Sequence, residues 1–280
     1  MMRKFNNEVA VITGAGSGIG QALAVSLARQ GCHLALADVN PNGLETTRSL
    51  LKDTAVQVSL HQVDVASRQA LEQLAEAVVA AHGRISLLFN NAGVACAGSA
   101  QDTSEEDFHW LMNINFWGVV NGCQVFLPLL RQQPRAHIIN LSSVFGLIAM
   151  PTQAAYNASK FAVRGYSEAL QQELRGSNVG LSVVCPGGVR TAIAANARVD
   201  QASAEALGGS ESFVRRFDKL ARTSPDQAAD IILDGVRKQR KRILVGPDAH
   251  ALHWIIRLFP RSYDRVIARL MPIPGINMPT

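Results

Sequence analysis

Among the 280 residues of this chain, no apolar run approaches the length of a membrane-spanning helix, which needs roughly 18 apolar residues or more. The opening stretch, Met1-Met2-Arg3-Lys4-Phe5-Asn6-Asn7-Glu8, is short and polar and carries no apolar signal region, so secretion is not expected. Cysteine is scarce. The four present, Cys32, Cys96, Cys123 and Cys185, lie far apart and form no C-x-x-C, which argues against a disulfide framework and for reduced thiols of a cytoplasmic protein. The seven histidines fall in no H-E-x-x-H or comparable spacing, so no metal is assigned. No internal repeat and no low-complexity linker divide the chain.

What is there suits one large domain. Hydrophobic residues make up 48% and charged residues 18%, enough to bury a core without disulfides or metal. The formal charge of +5 is unevenly placed: Phe213 to Thr280 holds thirteen Lys and Arg against six Asp, a net of +7, leaving −2 for everything before it. A basic excess confined to one end speaks against a general nucleic-acid-binding surface and leaves room for a local acidic partner or a solvated helix face.

The order of elements is the first strong signal. Val9-Ala10-Val11-Ile12 reads as a strand, and it runs into Thr13-Gly14-Ala15-Gly16-Ser17-Gly18-Ile19-Gly20. A helical pattern follows, with Ala22, Leu23, Leu27 and Ala28 on one face and Gly31 as its C-cap. Leu34 to Asp38 is a second strand, and its acid lies 18 residues after Gly20. Strand, glycine turn, helix, strand and acid is the layout that binds a dinucleotide. The glycines let backbone N–H groups approach a pyrophosphate at a helix N-terminus, and the acid accepts hydrogen bonds from ribose hydroxyls. The plainer alternative is a loop that simply needs glycine.

Alternation continues with a helix at 43–51, a strand at 56–65 ending in Asp64-Val65, a helix at 68–82 and a strand at 85–89 leading into Asn90-Asn91-Ala92-Gly93. A long helix at 105–131, a strand at 137–141 running into Ser142-Ser143, a helix at 156–174 and a strand at 181–185 running into Pro186-Gly187-Gly188 follow. This pattern predicts a parallel sheet covered on both faces, a Rossmann-type doubly wound α/β fold in a single domain over 1–247. Residues 188–223, rich in Ala, Ser and Gly and interrupted by Gly208-Gly209, read as a mobile, partly helical lid. Ser224, Pro225 and Gln227 spell a capping box for a helix to about Gln239. A last strand is expected at 243–245. In the C-terminal helical extension, 248–280, Arg257, Arg261, Arg265 and Arg269 recur every four residues beside Leu252, Trp254, Ile255, Ile256, Leu258, Phe259, Tyr263, Val266, Ile267, Leu270 and Met271. That is an amphipathic helix, packed on the body or on another subunit, or lying on a membrane surface.

Tyr156 and Lys160 are four apart on a predicted helix and share one face. A phenol with a free pKa of roughly 10 ionises more easily beside an ammonium, and the pair could then exchange a proton with an alcohol oxygen. Alone, such a pair is commonplace on surface helices.

Taken together, these motifs resemble the short-chain dehydrogenase/reductase family, and the matches span about Val9 to Thr191 in family order. Thr13-Gly14-x-x-x-Gly18-x-Gly20 resembles the family's glycine motif, Asp64-Val65 the pair flanking the adenine, and Asn90-Asn91-Ala92-Gly93 the central-sheet motif. Asn115, Ser143, Tyr156 and Lys160 match the catalytic set. The resemblance implies that Tyr156 is the acid/base, that Lys160 bonds the nicotinamide ribose and lowers the phenol pKa, that Ser143 orients the substrate oxygen, and that Asn115 holds a relay water. It implies cofactor contacts from Gly14, Ser17, Gly18, Ile19, Gly20, Asp38, Asp64, Val65, Asn91, Ala92, Gly93, Pro186, Gly187, Val189 and Thr191, besides Tyr156 and Lys160. For Asn91 a structural, strand-pairing role is the competing reading.

Asp38 repels a 2′-phosphate, and Ser17 and Val39 stand where a basic residue would mark NADP, so NAD is the expected cofactor. The resemblance also implies a substrate pocket supplied by residues 144–152 and 188–223; Phe145, Leu147, Ile148, Ala149, Met150 and Pro151 make the first of these apolar, so a hydrophobic alcohol or ketone is expected. The expected function is an NAD-dependent secondary alcohol dehydrogenase or ketone reductase. The alternatives are an NADP-dependent carbonyl reductase and a catalytically silent NAD-binding protein. The resemblance also implies a homo-oligomer formed through the long helices.

Overall fold

All seven predicted apolar runs pair edge to edge in one sheet. The computed structural model describes residues 4–200 and 210–270. Its strands are β1 Val9–Thr13, β2 His33–Asp38, β3 Val58–Gln62, β4 Leu87–Asn90, the two-residue β5 Cys96–Ala97, β6 Ala136–Leu141, β7 Val179–Pro186, the two-residue β8 Arg198–Val199, and β9 Arg242–Val245. The main sheet has the order β3-β2-β1-β4-β6-β7-β9, and every pairing in it is parallel. The helices are α1 Gly18–Ala28, α2 Pro41–Ser49, α3 Arg68–His82, α4 Glu105–Met112, α5 Gly118–Arg131, α6 Ala154–Glu173, α7 Ser210–Leu220, α8 Pro225–Arg237, α9 Pro247–Leu258 and α10 Tyr263–Leu270.

Strand side chains alternate between two apolar layers. Ala10 and Ile12 of β1 pack with Leu23 and Leu27 of α1 and Ile232 and Val236 of α8. Val9 and Val11 pack on the other face with Leu71 and Val78 of α3, Phe126 of α5 and Val163 of α6. Both faces are buried, so the strands read as continuous apolar runs rather than half-polar ones. From β1 the chain winds outward to β3 and then returns to the far side of β1 as β4. The two windings part between β1 and β4, and ligands of such sheets bind at the carboxyl ends of the strands at that point.

Four local features differ from the sequence expectation. The strand expected at 56–65 is only five residues long. The helix expected at 105–131 is broken by a π turn at Asn113–Trp117. In the segment expected to be a lid, Arg198–Val199 forms a parallel ladder with Cys96–Ala97, and Val189 bridges to Thr223. The Gly208-Gly209 break lies outside the described residues, as does Met271. Finally, the arginine stripe does not run along one helix. Phe259 precedes Pro260, which disfavours helical backbone at the residue before it; it adopts φ −125, ψ 59, and α9 ends there. Arg261 consequently sits in the turn between α9 and α10. The capping box at Ser224 and Gln227 is present as expected, and all four cysteines are buried free thiols.

The extension packs on the body. Ile267 of α10 is 1% exposed and joins Leu147, Ile148 and Cys185 in a third apolar cluster, with Leu252, Ile255, Ile256 and Tyr263 against it. Truncating a buried Ile to Ala typically costs 2–5 kcal/mol. Ile267→Ala should therefore lower the unfolding free energy by about 2–4 kcal/mol in a urea titration; a change within about 0.5 kcal/mol would show that α10 contributes nothing to the core.

Candidate active site

The loops after β1, β2, β3, β4, β6 and β7 all open on one edge of the sheet, and the residues predicted for the site lie on these loops, at the strand ends that lead into them, in the first turn of α1, on α6 or on the π turn. After β1 the chain turns through Gly14 at φ +64 and Gly18 at φ +54, left-handed conformations that favour glycine. A Cβ at Gly20 would stand 2.1 Å from the Gly14 carbonyl oxygen, so α1 packs directly on the turn. Ser17 caps α1 in extended conformation without a side-chain hydrogen bond, whereas Asn40 and Ser67 do cap α2 and α3. The first-turn amides of α1 are thus left for an anionic ligand, which a helix N-terminus favours. Thr191 stands on the other side of this turn: its Cγ2 would lie 3.0 Å from a Cβ at Gly18.

Asp38, at the end of β2, is held in place. Its Oδ2 accepts the Gly16 N–H at 2.8 Å and its Oδ1 the Asn40 N–H at 2.9 Å. Each oxygen keeps a lone pair for a ribose hydroxyl. Asp64 is exposed and accepts the Ala66 N–H at 2.9 Å, while Val65 is buried. These residues form a cradle that fits a dinucleotide.

At the end of β4, Asn91 works structurally. Its Nδ2 donates to the carbonyls of Thr13 at 2.8 Å and Gly14 at 3.2 Å, and the Thr13 hydroxyl accepts the N–H groups of Asn91 and Ala92. These bonds tie the turn after β1 to the loop after β4. The π turn directs Asn115 inward, where it is fully buried. Its Oδ1 accepts the Val94 N–H at 2.8 Å, and its Nδ2 donates to the Val94 carbonyl at 3.0 Å and the Ser159 hydroxyl at 3.1 Å. One Oδ1 lone pair remains. A Cβ at Gly93 would meet that oxygen at 3.1 Å and the Lys160 Nζ at 3.3 Å, so glycine is what lets both groups converge there.

Tyr156 and Lys160 lie on α6 as expected, and Ser143 faces them from the end of β6. The Ser143 hydroxyl hydrogen-bonds the Tyr156 phenol and lowers its pKa, but burial is the larger influence and pushes the phenol up to about 12. Burial also holds the Lys160 ammonium down at about 8. Its Nζ donates to the Leu141 carbonyl at 3.2 Å and lies 5.6 Å from the Tyr156 ring centroid. The sequence expectation of a phenol lowered by the ammonium is therefore not met: burial disfavours both charged forms, raising the phenol and lowering the ammonium. Phe145 packs edge-on against the Tyr156 ring at 6.1 Å. Of the expected apolar wall, Leu147 and Ile148 turn away and are buried under the extension. Phe145, Met150 and Pro151 remain partly exposed.

The sequence reading missed Asp248. The Gly188 N–H donates to its Oδ2 at 2.6 Å, and a Cβ at Gly187 would stand 2.1 Å from the same oxygen. The first turn of α9 therefore clasps the Pro186-Gly187-Gly188 backbone after β7, and Arg190 and Thr223 pair just beyond it. Gly246-Pro247-Asp248 carried a faint signal, a proline at the first helical position followed by an acid, but nothing in it names a partner some 60 residues away.

Comparison with known proteins places this edge in context. The short chain dehydrogenase family profile matches residues 8–202. The Mycobacterium tuberculosis protein SadH is 44% identical over 270 residues, covering 95% of this chain and 96% of its own length. The 3-ketodihydrosphingosine reductase of Bacteroides thetaiotaomicron is 35% identical over 208 residues, 74% of each chain. The crystal structure of a short chain dehydrogenase/reductase from Burkholderia phymatum in complex with NAD superposes with a TM-score of 0.85 over 100% of both chains at 33% identity.

Lysine 160 also makes a stability prediction. Free lysine titrates near 10.5 and buried Lys160 at about 8, so the folded state binds this proton more weakly than the unfolded chain. The resulting destabilisation is complete below about pH 8, shrinks as pH rises from there to about 10.5, and is absent above. Lys160→Met should be the more stable protein at pH 7, by on the order of 3 kcal/mol, and should lose that advantage near pH 10.5. Urea unfolding at both pH values measures it; a gap that does not change with pH would refute the assignment.

Proposed function

The chain belongs to the short chain dehydrogenase family, and on that premise we propose that it is an NAD-dependent oxidoreductase interconverting a hydrophobic secondary alcohol and its ketone. The observation that carries this reading is the convergence of Ser143, Tyr156 and Lys160 beside the loop braced by Asn115. A silent NAD-binding protein would have no use for a phenol hydrogen-bonded to a serine hydroxyl with an ammonium beside its ring. When bound, the nicotinamide supplies or accepts the hydride. The protein's part is the proton and the alignment. Ser143 hydrogen-bonds the substrate oxygen and stabilises charge developing on it. Tyr156 gives its proton to the forming alkoxide, or takes one from the alcohol as phenolate. Lys160 bonds the nicotinamide ribose and stabilises that phenolate, and a water at the remaining Asn115 lone pair relays protons to it.

NAD is supported over NADP by Asp38, whose carboxylate is fixed by two backbone amides at the position where a 2′-phosphate would be repelled. The NAD-bound Burkholderia structure points the same way. An apolar substrate is supported by Phe145, Met150 and Pro151 and by a relative whose name specifies a ketone. Exposed Phe108, Trp117 and Phe161 on the faces of α4 to α6 support association into a homo-oligomer. In the C-terminal extension, Trp254, Leu258 and Phe259 are 56%, 66% and 47% exposed. Arg257 and Arg261, also exposed, flank them. Aromatic and aliphatic groups flanked by cations are what an anionic bilayer surface takes up, and we read this turn as a peripheral membrane contact of a cytoplasmic protein.

Two measurements test these readings. Reduced-nicotinamide absorbance, followed over apolar secondary alcohols and ketones with NAD and NADP separately, should show turnover with NAD. Tyr156→Phe should lose about 10²-fold or more of it while still binding NADH. With the phenol pushed up to about 12, reduction should be efficient at neutral pH and oxidation should climb with pH. Near-wild-type activity in the variant would overturn the role of Tyr156, and turnover with NADP alone the role of Asp38. For the membrane contact, wild-type protein should co-sediment with phosphatidylglycerol vesicles and the double variant Leu258→Glu, Phe259→Glu should not; equal sedimentation would exclude this turn.

A further inference from the structure

The C-terminal extension pins the backbone after β7 at its most flexible point. Gly187 and Gly188 are successive glycines, and glycine has more backbone freedom to lose than any other residue. Four hydrogen bonds remove that freedom. Three are between main-chain groups: the Gly187 N–H donates to the Val245 carbonyl at 2.9 Å, the Thr223 N–H to the Gly188 carbonyl at 3.2 Å and the Arg190 N–H to the Thr223 carbonyl at 3.0 Å. The fourth comes from a side chain, with the Gly188 N–H donating to Asp248 Oδ2 at 2.6 Å. A carboxylate makes a stronger acceptor for an amide than a neutral oxygen does.

The fit is close on both sides. A Cβ at Gly187 would collide with the whole Asp248 carboxylate, and a Cβ at Gly188 would stand 2.9 Å from the Ala221 Cα. Neither glycine has a positive φ, so close approach is what calls for glycine at both. Asp248 itself stands in the first turn of α9, after Pro247, where the helix dipole favours an acid.

The pinned span reaches the cofactor cradle. It ends at Thr191, whose Cγ2 would lie 3.0 Å from a Cβ at Gly18 in the turn after β1. One amide within it is left over. With Gly188 and Arg190 donating elsewhere, the Val189 N–H has no partner among the described residues. It is the donor this span can offer a ligand, and the family resemblance implies the nicotinamide end of the cofactor here.

We propose that Asp248 is a positioning residue for the nicotinamide half of the cofactor. Its carboxylate fixes Gly188, Gly188 fixes the neighbouring Val189 amide, and the C-terminal extension thereby sets how tightly that half is bound. This role rests on the NAD reading proposed above. It gives a part in cofactor binding to a residue well past position 202, where the family match ends.

The test titrates full-length protein with NADH and with ADP-ribose, which has the same adenosine and pyrophosphate but no nicotinamide. Calorimetry reads both and needs no turnover. Asp248→Ala should weaken NADH binding about tenfold, the worth of one hydrogen bond to a charged group, and leave ADP-ribose within about twofold of wild type. A generally loosened fold would weaken both alike. Asp248→Asn keeps an acceptor at the same place and should restore NADH affinity to within about threefold of wild type. Gly187→Ala, whose methyl pushes the same carboxylate aside, should reproduce the Asp248→Ala pattern, and adding it to Asp248→Ala should cost little more. It also carries the comparison should Asp248→Ala prove unfolded in a thermal melt. Equal losses for NADH and ADP-ribose, undiminished NADH binding in the folded variants, or an Asn variant as weak as Ala would overturn the role of Asp248 alone. Wild-type protein that binds neither ligand would overturn the NAD reading and this role with it.

Discussion

The ammonium of Lys160, buried at the carboxyl end of β6, is the constraint around which the site is built. A charge inside protein is tolerated only where hydrogen bonds surround it. Here the Leu141 carbonyl accepts from Nζ, and the Ser142 hydroxyl donates to the main-chain carbonyl of Lys160 at 2.8 Å. Asn115 donates to Ser159, whose hydroxyl in turn donates to the Tyr156 carbonyl at 2.8 Å. The first turns of α6 are thus pinned to the sheet from two sides. The phenol of Tyr156 takes its place from that anchoring, with Ser143 and Phe145 closing around it. Site geometry of this kind depends on supporting bonds as much as on the groups they hold.

The extension past β9 is tied to the same edge by two separate links. Asp248 at the start of α9 holds the backbone after β7, and Ile267 on α10 seals Leu147 and Ile148 beneath it. A short helical pair therefore touches both the segment implicated in nicotinamide contact and the segment that follows the serine. The family match ends at residue 202, whereas the mycobacterial relative covers 95% of the chain. The extension is thus shared with near relatives even though the family profile does not include it.

How much of this was legible in the sequence follows from how local each signal is. The seven strands, the glycine turn and the Tyr-Lys pair are carried by residues within a few positions of one another, and periodicity or spacing reveals them. The capping box at Ser224 is of the same kind. The π turn escaped because an added residue in a helix leaves hydrophobic periodicity nearly intact on both sides. The ladder between Cys96–Ala97 and Arg198–Val199 escaped because two residues are too few to show a pattern, and its partners lie about a hundred positions apart. The clasp of Asp248 on the Gly188 backbone depends on a tertiary contact that no window of sequence contains.

The tail and the pKa values show a second way in which local reading falls short. The four arginines do recur at helical spacing, but Pro260 imposes its constraint on Phe259, and one proline outweighs four well-spaced cations. In the same way, opposite charges four residues apart on a helix predict a stabilised phenolate, and the charge argument is sound as far as it goes. Burial acts on both groups at once and in opposite senses, raising one and lowering the other. The folded site therefore holds Tyr156 protonated at neutral pH. Burial is the larger influence on the phenol, and the Ser143 hydrogen bond offsets only part of it.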